Sequence, residues 1–221
     1  MQQPRPAHDD LHLDLDWDDV GLAMQAVAQP AIEVARNLPG GGGGLWVLAA
    51  AGDTVLLVAE SRPFGPGAYD GPVIELGALA LGLGADRLAV AVTGRAWSID
   101  DPIPPVRGAG DMRQRVLMVS AVDGRRQHPP VTKTPLFPFE IRGRRVHWGT
   151  PPDLSDEPAM GWIPSSLAAA VAARHGFLDG PDRLHQTRTQ LSRCRHLGHD
   201  VTLLPDGVAR LDPEYTNHAD R

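Results

Sequence analysis

Apolar and polar positions divide this chain into short runs of period two and longer stretches of helical period. Residues 11–17, LHLDLDW, alternate strictly, with Leu11, Leu13, Leu15 and Trp17 on one side and His12, Asp14 and Asp16 on the other. That period predicts a short strand. Asp18 and Asp19 suit the start of a helix, where a carboxylate accepts free N–H groups. The helix would run through GLAMQAVAQPAIEVARNL, with Pro30 expected to kink or split it. Gly40 to Gly44 form an unbroken glycine run and read as a flexible connector.

LWVLAAA and TVLLVAE, joined by Gly52-Asp53, predict a β-hairpin. VIELGALALGLG fits a short helix. DRLAVAVTGRAWS and QRVLMVSAV each read as a strand, and LFPFEIRG with RRVHWG as a second hairpin about Gly143. Pro138 lacks an N–H and so points to an edge position for the first arm of that hairpin. TPPDLSDEPAMGWIP reads as a linker, followed by a helix over SSLAAAVAARHG and a second over GPDRLHQTRTQLSRCRHLG. On the second, Leu184, Thr187, Leu191 and Cys194 share a narrow stripe, the pattern of a helix that covers a core. DVTLLPDG offers a last strand, and DPEYTNHADR a frayed tail.

The order ββαβββ, with neighbouring strands joined by short turns, predicts an α+β fold around a mixed or mainly antiparallel sheet. An N-terminal helix and a C-terminal helix pair complete it. The expected organisation is an N-terminal strand, helix and glycine connector over 1–44, a sheet domain over 45–150, and a linker, helix pair and tail over 151–221 packed on the sheet.

The length suits one domain or one domain with an appendage, and a chain of this size buries about 70% of its unfolded surface. Cys194 is the sole cysteine, so no intrachain disulfide forms. No apolar run reaches the roughly 18 to 20 residues of a membrane span, and the first residues are polar and acidic rather than leader-like. These features predict a soluble, cytoplasmic protein. The net charge of −6 argues against nucleic acid as a partner. Twenty of the twenty-one cationic side chains are arginine, a bias that fits GC-rich coding.

Asp14, Asp16 and Asp18 have the opening spacing of a calcium loop, but Asp19 and Gln25 stand where glycine and a bidentate glutamate are needed. A solvated strand face fits better. Cys194, His196, His199 and Asp200 are metal-competent, yet Cys194 and His196 point about 200° apart on a helix. Hence no metal and no cofactor are expected. Arg183, Arg188, Arg193 and Arg195 could suggest a DNA-reading helix, but the connection before it is long and carries Asp179 and Asp182. The glycine run and GLGAD both lead into strands, not helices, so neither cradles phosphate. No Gly-x-Ser-x-Gly elbow is present. The arginines around Cys194 are expected to lower its pKa.

GRAWSIDDPIPPVRG, residues 94–108, is the strongest candidate surface. Arg95 and Trp97 share a face at a strand end, and Arg95 could pair with Asp100 or Asp101. Prolines stiffen the loop to Arg107, which limits the entropy lost on binding. Trp and Arg are enriched in interface hot spots. The competing reading puts Trp97 in the core with Arg95–Asp100 as a structural pair.

GADRLAVAVTGRAWSIDDP followed by RQRVLMVSAVDG, residues 84–124 in all, resembles a loose group of uncharacterised bacterial and phage-associated proteins. The resemblance implies a compact α+β sheet domain and no activity. Arg95 stands where that group is expected to carry an acid. The favoured expectation is a non-enzymatic protein-interaction or accessory module that binds another protein through Arg95, Trp97, Asp100, Asp101 and Arg107. The alternative is a hydrolase or transferase with a histidine-based site, zinc-bearing or metal-free, between the sheet and the C-terminal helices, whose base is His147, His175, His185, His196 or His199.

Overall fold

The computed structural model describes residues 14–35, 44–65, 68–96, 113–125, 131–133, 135–152, 162–178, 180 and 182–212. The fold is α+β: among the described residues, five α-helices lie on an eight-stranded antiparallel sheet.

The sheet grows from two hairpins. β1 (Leu45–Ala51) and β2 (Thr54–Glu60) turn at Gly52, whose φ of 63° is a conformation glycine adopts without strain. β6 (Leu136–Arg142) and β7 (Arg145–Trp148) turn at Gly143, φ 62°. Between the hairpins lie β3 (Arg87–Ala96), β4 (Gln114–Asp123) and β5 (Val131–Lys133). β8 (Asp200–Leu203) comes last, and the order across the sheet is β7-β6-β4-β3-β1-β2-β8. β5 and β6 divide one side of β4 between them, β5 pairing with Ala121–Asp123 and β6 with Arg115–Met118.

Helices cover both faces, which is why β1 and most of β3 are apolar in succession rather than alternating. α1 (Val20–Ala35) lies on one face, where Met24, Ala28 and Ile32 meet Trp46, Leu48, Ala89, Ala91, Val119 and Phe139. On the other face α2 (Asp70–Gly82), α3 (Trp162–Leu178) and α4 (Arg183–His196) pack over Leu45, Val47, Leu88, Val90 and Val122. The predicted stripe on α4 is the side that faces this core, with Thr187 and Cys194 buried. α5 (Pro205–Leu211) closes against β2, and Pro205 at its first turn is a helix start concealed by a strand-like prefix. No described helix is long and apolar enough to cross a membrane.

Several local expectations give way. The predicted strand 11–17 is, in its described part, one bridge between Asp14 and Thr54. Asp16 then accepts the Asp18 N–H at 3.0 Å and starts a short 3-10 turn at Trp17–Asp19. Pro30 does not split α1, which runs unbroken from Val20 to Ala35, and both Pro30 and Ala26, four residues earlier, lie on the exposed side. β6 is interior, not an edge. Pro138 is tolerated because its carbonyl, and with it the missing N–H, faces past the end of β7, where Gly149 N–H donates to it at 2.8 Å. α3 continues through Gly176 to Leu178. β5 was not anticipated.

Candidate functional site

The antiparallel topology carries the last residues of β3 and β6 and the first of β4 and β7 to one end of the sheet. Six described arginines gather there: Arg95, Arg113, Arg115, Arg142, Arg144 and Arg145. Register places like charges opposite one another twice, Arg95 across from Arg115 and Arg142 across from Arg145. Directly opposed like charges destabilise a sheet. Glu140 is the one described carboxylate on these strand ends, and it is already held by Arg142 at 2.8 Å. Arg95 donates to the Arg113 carbonyl at 2.8 Å. The alternation that puts Leu117 and Val119 beneath α1 puts Arg115 and Arg95 on that same side.

Of the predicted binding residues, Arg95 is thus placed and exposed. Trp97, Asp100, Asp101 and Arg107 lie outside the described residues, on a segment whose two ends, Ala96 and Arg113, are both at this arginine-rich end. The remaining five arginines were missed. RQR at 113–115 and RGRR at 142–145 are 27 residues or more apart, and composition bias hid them. The register of β4 with β6 is what joins them.

The histidine candidates do not converge. His147 is exposed on β7, at one edge of the sheet; His185 and His196 are exposed on α4. The side chain of His175 lies outside the described residues. His199 is buried near β8, at the other edge, and both ring nitrogens are used. The Arg62 backbone N–H donates to Nδ1 at 3.0 Å, so Nε2 carries the proton and donates to Glu75 Oε2 at 2.7 Å. A ring with no free lone pair is a brace, not a base. It ties the start of the loop after β2 to α2.

Glu75 completes that brace through Arg62 at 3.3 Å. Burial works to raise its carboxyl, but hydrogen bonds from His199 and Arg62 and the Arg62 charge hold it below its ordinary value of 4.5. Cys194 corrects the expectation of an activated thiol: burial first, then the Glu75 charge, push it up from its ordinary value. The arginines nearby on α4 point to solvent while Cys194 points inward. His196 and Asp200 also face outward, so the Cys-His-His-Asp run does not form a cluster.

A carboxylate held below its usual range stabilises fully above that range and loses its contribution as pH falls through the lowered value. Glu75→Gln is therefore expected to cost about 1–3 kcal/mol at neutral pH. Its melting temperature should then fall less than that of the wild type between about pH 5 and about pH 3. Parallel melting curves of the two proteins over that interval would refute the brace.

No protein-family model, no curated protein and no solved structure matches this chain.

Proposed function

We propose that the protein is a non-enzymatic interaction module whose arginine-rich sheet end receives an acidic segment of a partner protein. The observation that carries this reading is the gathering of arginines at one sheet end, Arg95 opposite Arg115 on the α1 side and Arg142 opposite Arg145 on the other. Guanidinium groups so gathered favour carboxylates, which they bind through charge-assisted hydrogen bonds. A protein segment fits better than nucleic acid. The chain as a whole is negative, which disfavours a long polyanion, whereas a short segment can meet the arginines alone. The loop bearing Trp97, Asp100, Asp101 and Arg107 is the proposed flank of the same surface, with Trp97 as its anchor.

The test is fluorescence anisotropy with a labelled ten-residue polyglutamate peptide at low salt. Arg142→Glu/Arg145→Glu is expected to weaken binding about tenfold or more, and 0.5 M salt to do likewise. Arg195→Glu, on the exposed side of α4, should leave it unchanged. Absence of peptide binding by the wild type rejects the proposal. Tighter binding of a single-stranded oligonucleotide, lost in the same double variant, would move the assignment to nucleic acid.

A further inference from the structure

We infer that Glu33 closes the outer edge of β7, so that a second copy of this chain cannot join the sheet there as a further strand; this goes beyond the reading of the arginine-rich end and does not depend on it. Among the described residues β7 is the last strand on its side of the sheet. A strand so placed turns every second residue's N–H and C=O away from its neighbour, and such a row is a template for another chain. In β7 the alternation is fixed by Gly149, whose N–H donates back to the Pro138 carbonyl at 2.8 Å. Arg145 and His147 therefore turn their backbone groups to β6, and Val146 and Trp148 turn theirs outward.

That outward edge suits its own copy. With two β7 strands antiparallel about a twofold axis at His147, Val146 of one lies opposite Trp148 of the other, and each pair exchanges both backbone hydrogen bonds. A β-branched residue facing an aromatic one is a favourable cross-strand pair. Both side chains belong to the apolar side of the sheet that α1 covers, so the pairing would carry one apolar surface across two molecules.

α1 is built to prevent it. Its polar side chains are Gln25, Gln29 and Glu33, spaced four apart and so in one row, and Glu33 is its single charge in sixteen residues. Glu33 is half-buried, which is costly for a carboxylate unless hydrogen bonds compensate. They come from the edge itself and from the same row: Glu33 Oε1 accepts the Val146 N–H at 3.1 Å and the Gln29 side-chain amide at 3.0 Å. Gln29 Oε1 in turn accepts Trp148 Nε1 at 3.1 Å. The two residues that a second copy would need are thus both held by α1. A strand approaching Val146 would bring a carbonyl oxygen against a carboxylate where it needs a donor.

Sedimentation equilibrium of the full chain, with hydrogen exchange at the Val146 amide, tests this. The wild-type Val146 amide should be protected about tenfold or more, although it points away from β6. Glu33→Ala should dimerise with a dissociation constant at least about tenfold below that of the wild type. Its Val146 amide should exchange faster than that of the wild type in dilute solution and regain protection as concentration rises. Glu33→Gln keeps an oxygen acceptor and should behave as the wild type. Val146→Pro added to Glu33→Ala removes the released donor at an edge position that tolerates proline, and should abolish the new dimer. A Glu33→Ala protein that associates no more than the wild type overturns the proposal. A Glu33→Ala dimer that survives Val146→Pro overturns it too, since another surface then forms the contact. An unprotected Val146 amide in the wild type overturns it alone, and that measurement needs no variant to fold.

Discussion

Replacing Asp123 by alanine is expected to lower the melting temperature by about 6–20 °C, the equivalent of about 3–5 kcal/mol in a chain of this size. Arg87 is fully buried, and its guanidinium has its main partner in Asp123, which is 3% exposed and accepts from Nε at 3.0 Å and from Nη2 at 2.9 Å. The indole of Trp17 lies 5.3 Å from the guanidinium, and Asp53 and the Gly52 carbonyl take the outer nitrogen. Asp53 is 65% exposed, so water weakens its compensation. Removing Asp123 strands a cation in an apolar setting. Removing both charges, as Arg87→Met/Asp123→Leu, should recover most of the loss, because a buried pair often contributes little net stability over packed hydrocarbon. Thermal melts of the two variants decide the matter. Equal losses in both would show that the site matters through shape and not through charge.

Gly207→Ala is expected to cost about 3 kcal/mol, or about 6–12 °C, although alanine is the better helix former by about 1 kcal/mol. The added methyl would collide with the Leu56 carbonyl oxygen, with no flexible side chain between them to give way. α5 would have to lift off β2. Two ties depend on its position: Arg188 donates to the Leu211 carbonyl at 2.6 Å, and Arg210 to the Leu83 carbonyl at 2.9 Å. Hydrogen exchange should show faster loss of protection over residues 200–211 than over β3 and β4. An unchanged melting temperature would mean that α5 does not sit against β2.

Much of this architecture is legible in the chain. The hairpin of β1 and β2 falls on the predicted residues because its turn chemistry and apolar runs agree. α4 shows its stripe for the same reason. What escaped is what non-local pairing decides. Pro138 suggests an edge until it is known that β7 stops short of it. Asp16 and Trp17 continue an alternating pattern, yet a local cap and burial beside Arg87 take them out of the strand. The arginine-rich end is the sharpest case: RQR, RGRR and Arg95 are ordinary surface residues in one dimension, and strand register alone makes them neighbours. His199 looks like a ligand or a base in sequence, and only the Arg62 N–H and Glu75 show that both nitrogens are occupied.

β8 pairs with β2 through Leu57 with Leu203 and Ala59 with Val201, residues more than 140 positions apart. During synthesis, then, the edge of β2 lacks its β8 neighbour until residues 200–203 have left the ribosome. Closing so long a loop is slow, and an open apolar edge invites pairing with other nascent chains in the meantime. Completion of this sheet waits on β8, and a premature stop anywhere before residue 200 would release a product with that edge uncovered.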